Sequence, residues 1–355
     1  MTAGTHEKPM VSTNTRTKPQ TLSQQYGGLH AGSWVDRLPP SWIPYVQLSR
    51  LSPPAGFFLI VFPHLFGVLH AACTLGPASS IEQVARVSLL LVGGSFFCNN
   101  ASHAWNDLVD APIDAWIART RTRPIPRGAI SRRAAFVFTV SQAVGAGVFL
   151  LGLPRDTSFT VLPNIFGTAY YPFAKRHTHL AQLVLGVCLT WGIMVGSSAM
   201  GVYQPWWDPS TVCLFVGSIM WVVIFDTIYA HQDLADDLRV GVKSTAVLFG
   251  SWAREILWVL GAGMVAALAA SGYYGRMGLA YYALTVGGCA VSMGAMVAKV
   301  DLKDPASCWT WFSQGFWSTG VAIASGLLVE FGMQNRGAVL NLTHAAGKDF
   351  WMSLL

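Results

Sequence analysis

Charge is what this chain has least of. Only 11% of its 355 residues are Asp, Glu, Lys or Arg, where a soluble globular domain carries about 25%. With 52% hydrophobic residues and a mean hydropathy of +0.43, the solvent for most of the chain is lipid. Paired cysteines are missing too. The six present (Cys73, Cys98, Cys188, Cys213, Cys289, Cys308) stand singly, with no CxxC pair and no metal-ligand spacing. They read as small buried hydrophobes. Acids are scarcer than bases, 17 against 23, for a net charge of +6. Where the basic residues sit decides what that balance means. Low-complexity segments and short internal repeats are absent.

Long apolar runs are abundant. From about residue 55 nine segments approach the roughly 20 apolar residues that a membrane helix needs: 55–75, 84–105, 134–153, 158–173, 180–202, 211–229, 253–272, 278–298 and 312–332. Backbone in lipid must satisfy its own hydrogen bonds, which selects helices over open sheet. The fold class expected is therefore all-α and integral to the membrane, with nine transmembrane helices in a domain spanning residues 41–335. Residues 1–40 read as a disordered N-terminal segment and 336–355 as a C-terminal tail. The first 35 residues share an acid-poor, Ser/Thr-rich composition with mitochondrial transit peptides, but have few arginines and no amphipathic pattern.

The loops separate by charge. With nine spans, the N-terminus and the loops after the even-numbered helices share one side. That side holds every Lys and Arg except Arg86, Arg155, Arg276, Arg336 and Lys348. By the positive-inside rule it is cytoplasmic. The basic balance is thus topology first, and no nucleic-acid partner is implied.

Acids concentrate in two short clusters. One is Asn106-Asp107-Leu108-Val109-Asp110-Ala111-Pro112-Ile113-Asp114, at the end of the second apolar segment. The other is Asp233-Leu234-Ala235-Asp236-Asp237, just after the sixth. Spacings of three and four place Asp107, Asp110 and Asp114 on one helical face, with Asp233 and Asp237 one turn apart. Clustered carboxylates repel unless cations neutralise them. Mg²⁺ is commonly held by one or two carboxylates plus substrate phosphates, so two such clusters describe a metal–diphosphate site better than a closed protein cage. Arg119, Arg121, Arg123 and Arg127 follow the first cluster, Lys175 and Arg176 the fourth segment, and Lys243 the second cluster. Cations there stabilise charge developing on a leaving diphosphate. Asp226 lies inside an apolar segment, where a carboxylate is costly and usually functional.

In this order the residues resemble the UbiA family of intramembrane prenyltransferases. The resemblance runs through the NDxxDxxxD motif at Asn106–Asp114 and the arginine-rich stretch Arg119–Gly128. It continues through Tyr171-Pro172-Phe173-Ala174-Lys175-Arg176 with Gln182, and Asp226–Asp233 with Asp237, and closes at Lys243-Ser244-Thr245. It covers about residues 45–330. The YAHQD segment at Tyr229–Asp233 looks like the branch that prenylates 4-hydroxybenzoate and like fungal meroterpenoid aromatic prenyltransferases.

The resemblance implies nine helices around a central cavity, capped on the cytoplasmic side by the motif loops. It implies that Asp107, Asp110, Asp114, Asp233 and Asp237 hold Mg²⁺ on an isoprenoid diphosphate. Asn106 then helps hold the diphosphate or the metal shell, and Arg123, Lys175, Arg176 and Lys243 contact diphosphate oxygens. Tyr229 and Asp226 are candidate contributors near the reacting end. Arg50 is a candidate partner for an acceptor carboxylate or phenolate, or for diphosphate. His64 either approaches the acceptor or is a packed histidine.

Pro53-Pro54 stands where 4-hydroxybenzoate enzymes usually have Lys-Pro, and Phe62–Gly67 looks more like the fungal group. The implied function is farnesyl-type transfer to a phenolic or polyketide-derived aromatic in secondary metabolism, in the endoplasmic reticulum or endomembranes. The sequon Asn341-Leu342-Thr343 would then be lumenal. The alternative is a mitochondrial inner-membrane 4-hydroxybenzoate polyprenyltransferase of ubiquinone synthesis. A transporter, the rival from another class, places its charges near the bilayer midplane on broken helices rather than at helix ends on one side.

Overall fold

In the computed structural model residues 34–336 are described; most of the expected N-terminal segment, and the tail with its sequon, lie outside the described residues. Within them the secondary structure is helical, with no strand. Eight helices are long and apolar enough to cross a membrane, which makes the chain a multi-pass membrane protein. In chain order they and one shorter helix are α1 (Ala55–Leu75), α2 (Ile81–Asp114), α3 (Arg132–Leu150), α4 (Leu162–Ala174), α5 (Ala181–Ala199), α6 (Pro209–Ala230), α7 (Ala253–Tyr274), α8 (Leu279–Lys299) and α9 (Pro305–Gln334). The segment expected at 158–173 is the short one. It begins as a separate turn, Arg155–Thr160. Its main helix of 13 residues spans about 20 Å, less than the roughly 30 Å hydrocarbon core.

Helix starts follow local chemistry. Ser80, Ser131, Asp208 and Asp304 each accept a backbone N–H two or three residues on, satisfying donors that a helix N-terminus leaves over. At the other end α2 does not stop with its apolar run. It continues through the first acidic cluster to Asp114, so the carboxylates are borne on a rigid helix rather than a loop.

Burial sorts the helices into inner and outer. In α1 72% of the apolar stretch is buried, against 11% in α3; Val137, Val140, Val144 and Val148 of α3 face outward, as a lipid-facing stripe should. The centre is an aromatic stack: Phe62 and Phe66 of α1 meet Trp221 of α6, and Phe225 meets Phe312 and Phe316 of α9. Apolar side chains gain little by leaving lipid for one another, so close backbone approach has to hold helices together. Gly67 and Gly196 provide it. A β-carbon on Gly67 would lie 2.1 Å from the Ile193 carbonyl oxygen, and one on Gly196 2.2 Å from that of His64.

The ends of α2, α4 and α6 come together on one side of the bundle. Lys243 N–H donates to the Lys175 carbonyl at 3.0 Å. Ala118 N–H donates to Asp236 Oδ2 at 3.1 Å. Loops far apart in sequence are thereby tied over the same cavity mouth.

Candidate active site

The first acidic cluster is laced by basic residues. Arg50 Nη2 donates to Asp107 Oδ1 at 2.6 Å. Arg123 Nη1 reaches both Asp107 Oδ1 at 3.1 Å and Asp114 Oδ2 at 2.8 Å. Lys175 Nζ donates to Asp110 Oδ2 at 3.2 Å. Arg50 holds this position with a left-handed backbone (φ 51°), a conformation that costs a non-glycine residue free energy and clusters at functional sites. Burial alone would lower the Lys175 ammonium, yet the Asp110 carboxylate raises it above the usual lysine range.

The second cluster is held differently. Arg119 forks onto Asp233, with Nε 2.9 Å from Oδ1 and Nη2 2.5 Å from Oδ2, while Nη1 donates to the Tyr229 hydroxyl at 2.8 Å. Burial pulls this guanidinium down, but Asp233 outweighs it and keeps the charge well above the ordinary arginine range. Asp237 has neither an ion pair nor a side-chain hydrogen bond among the described residues.

Two adjoining cavities join the clusters. The outer, about 100 Å³, is lined by Asp110, Asp114, Asp233 and Asp237 with Lys243. The inner, about 160 Å³, has apolar walls from Leu59, Ile60, Leu185, Leu189 and Phe312. Arg119, Arg123, Tyr171, Lys175, Asp226 and Tyr229 line both. A polar antechamber thus opens onto an apolar chamber, with cations at the junction.

Most expected site residues converge here, and some do not. Asp107 is fully buried beneath Arg50 and Arg123 and lines neither cavity. Asn106 lines the inner one. Arg176 points away, donating to the Val109 carbonyl and covering Phe173. Asp236 faces outward, paired with Arg239. His64 is packed against Gly192 with Nδ1 2.8 Å from the Ile60 carbonyl. It does not line the cavity, so the packed alternative describes it. Sequence reasoning missed His103, which lines the inner cavity. Its place one turn before Asp107 on the same helix was the available signal.

The charge balance bears on a metal. Asp107, Asp110, Asp114, Asp226, Asp233 and Asp237 face Arg50, Arg119, Arg123, Lys175 and Lys243, leaving no excess of positive charge for a polyanionic ligand. Among the described residues no three His, Cys, Asp or Glu side chains converge to hold a metal by themselves. Yet Asp107 Oδ2 and Asp110 Oδ1 are buried without partners, which costs about 1–3 kcal/mol each. Asp110 Oδ1, left over on the wall of an anion-sized cavity with Asp107 buried behind it, suits Mg²⁺, which takes one or two carboxylates and completes its shell with phosphate and water.

Comparisons with known proteins bear on the family and the fold. A family model described as the UbiA prenyltransferase family matches residues 60–320. The mitochondrial 4-hydroxybenzoate polyprenyltransferase of Saccharomyces cerevisiae is 34% identical over 84% of this chain and 79% of its own. The DMOA farnesyltransferase of Aspergillus novofumigatus is 35% identical over 72% of this chain and 81% of its own. Among solved structures, the apo form of a UbiA homologue from Aeropyrum pernix K1 superposes with a TM-score of 0.61 at 22% identity, covering 76% of this chain and 97% of that one. A UbiA homologue from Archaeoglobus fulgidus, bound to GPP and Mg²⁺, gives a TM-score of 0.56 at 16% identity, covering 78% and 99%.

Proposed function

The chain belongs to the UbiA prenyltransferase family, and from that premise we propose that it transfers a prenyl group, in our leading reading farnesyl, from an isoprenoid diphosphate to a phenolic or polyketide-derived aromatic acceptor with Mg²⁺ as cofactor. The observation that carries this reading is the pair of adjoining cavities, one carboxylate-lined and one apolar, joined by a ring of cations. Such a space fits a ligand with a polyanionic head and a hydrocarbon tail.

Each residue then has a task. Asp110, Asp114, Asp233 and Asp237, which line the outer cavity, would hold Mg²⁺ with the diphosphate, and Asn106 would support that shell. Asp107, buried behind them, would fix Arg50 and Arg123 in place. When bound, the metal supplies positive charge to the leaving diphosphate. Arg119, Arg123, Lys175 and Lys243 donate to its oxygens, favouring charge as it develops there. The apolar walls keep water from the allylic carbon, and Tyr229 and Asp226 border the junction where that carbon sits. Arg50 braces Asp107 and faces the chamber in which the acceptor binds. An aromatic carbon of the acceptor bonds to the allylic carbon as its C–O bond breaks, and the diphosphate leaves with that electron pair. Asp226 at the junction takes the ring proton, restoring aromaticity.

The 35%-identical relative is a farnesyltransferase by name, which favours a farnesyl donor. Pro53-Pro54, standing where the resemblance to 4-hydroxybenzoate enzymes would put Lys-Pro, favours secondary metabolism. In that reading the enzyme lies in endomembranes with the N-terminus and aspartate motifs cytoplasmic. A second reading, a mitochondrial 4-hydroxybenzoate polyprenyltransferase, is supported by the 34% relative. Microsomes with Mg²⁺, prenyl diphosphates of several lengths and a panel of aromatic acids and phenols separate the two. Product mass is expected to show a farnesylated phenol. Products made only from 4-hydroxybenzoate and long polyprenyl donors would replace the leading reading with the second.

A further inference from the structure

Five buried or partly buried histidines lie in or beside the helices; three are satisfied, and a fourth, His179, leaves Nδ1 without a partner but lines neither cavity. His64 Nδ1 and His231 Nδ1 each lie 2.8 Å from a carbonyl one turn back, and His70 Nε2 lies 2.7 Å from Ser210 Oγ. His103 differs. No hydrogen bond reaches either ring nitrogen among the described residues, and its Nε2 is buried without a partner. The imidazole nevertheless lines the inner cavity.

Its position is built. The ring lies against the start of α1, where a β-carbon on Gly56 would come within 2.0 Å of His103 Nε2. A side chain there would displace the imidazole, since the atoms it would meet belong to the side chains of His103 and Asn99. Along α2, His103 precedes Asp107 by four residues, or about 6 Å at 1.5 Å per residue. That sets it one turn inward of the carboxylates, past the layer that serves a diphosphate. Its surroundings are mixed: Ser102 and Asn106 on its own helix, Arg50 across the chamber, and the apolar Leu59, Ile60 and Cys98. Nε2 is closed off against Gly56, so Nδ1, which has no hydrogen bond either, is the nitrogen left for a ligand. A polar group in such a wall costs stability unless a ligand completes it. An imidazole can both donate and accept, which matches a phenolic hydroxyl.

We propose that His103, seated by Gly56, hydrogen-bonds a hydroxyl of the aromatic acceptor and orients the ring toward the allylic carbon. This rests on the aromatic acceptor proposed above and assigns the residue that reads its hydroxyl. His103 is a specificity residue, with no part in holding the donor.

The test uses the full chain in detergent with Mg²⁺, farnesyl diphosphate, 4-hydroxybenzoate, 2,4-dihydroxybenzoate and their methoxy counterparts. His103→Leu is expected to raise the KM of the phenols roughly fivefold, with the KM of farnesyl diphosphate unchanged. His103→Gln, which keeps donor and acceptor, should recover part of the loss, and Gly56→Ala should mimic His103→Leu. Wild-type protein should prefer each phenol to its methoxy counterpart, and His103→Leu should erase that preference. An unchanged phenol KM in His103→Leu, or equal movement of both KM values, overturns the inference and leaves the proposed function standing. Should the leucine variant not fold, the glutamine and alanine variants decide by the same ratio of KM values. Should the wild type turn over neither phenol, equilibrium binding of radiolabelled 4-hydroxybenzoate and farnesyl diphosphate decides. Donor binding without phenol binding overturns this inference, and absence of Mg²⁺-dependent donor binding overturns the proposed function itself.

Discussion

Two buried polar clusters in this molecule obey opposite rules. Away from the cavities, His70 shares a hydrogen bond with Ser210, whose hydroxyl donates to the Ser271 carbonyl at 2.7 Å, and Thr211 donates to Asp208 Oδ2 at 2.6 Å. Each of these groups finds a partner, and together they join α1, α6 and α7. At the cavity the counterpart is unfinished. Asp107 Oδ2, Asp110 Oδ1 and His103 Nε2 are buried without partners, and Asp237 stands outside every ion pair among the described residues. A satisfied network inside lipid fastens helices. An unsatisfied one stores the cost of desolvation until a ligand relieves it.

The contrast can be broken from either side. The largest expected effect is at the unfinished cluster: Asp107→Ala or Asp233→Ala should reduce prenyl transfer by about a hundredfold or more, read as product formed under saturating Mg²⁺. Full activity in both variants would remove the roles assigned to these carboxylates, and transfer indifferent to EDTA would remove the metal. Next is Arg119→Lys, which keeps the charge but loses the fork onto Asp233. Since a point charge does not replace a planar fork, the KM of the diphosphate should rise roughly tenfold.

The fastened cluster should respond in stability instead. Ser210→Ala strands His70 and is expected to cost about 1–3 kcal/mol, visible as a lowered Tm with unchanged KM for both substrates. A shift in KM there would merge the two clusters into one functional unit. The smallest expected change concerns pH. The Lys175 pKa is raised above its unfolded value by Asp110, so the stabilisation from its charge is present throughout the neutral range. It is lost only as pH climbs through the raised value. Activity followed from about pH 9 to 11 should therefore show no lysine limb, although an ordinary lysine titrates near 10.4. A lysine-dependent fall within that window, absent in Lys175→Arg, would show that the pairing with Asp110 is weak.

Much of the architecture was legible in order along the chain because lipid imposes a one-dimensional rule. Apolar length marks a helix, and eight of the nine expected segments reach spanning length. The exception, around Leu162–Ala174, is bounded by Pro163 and Pro172, so its short length follows from the same local chemistry. The two acidic clusters were equally visible, because like charges set three or four residues apart are costly without a cation. Their membership in the site was less so. Asp236 shares the second cluster yet turns outward to Arg239, and Arg176 neighbours Lys175 yet covers Phe173. Spacing places a residue on a helix face. It does not tell which face meets the cavity.

By itself the sequence determined that the chain is helical, lies in lipid and carries two carboxylate clusters on one side, because hydropathy, helical period and loop charge are local properties. Tertiary structure alone decided which charges meet: that Arg50 and Arg123 share Asp107, that Arg119 crosses to Asp233, and that one histidine is packed while another lines the chamber unpartnered. Pairing between groups separated by scores of residues depends on how helices rotate and tilt against one another. That rotation is set by contacts such as Gly67 with Gly196 and Gly56 with His103, which no stretch of sequence displays by itself.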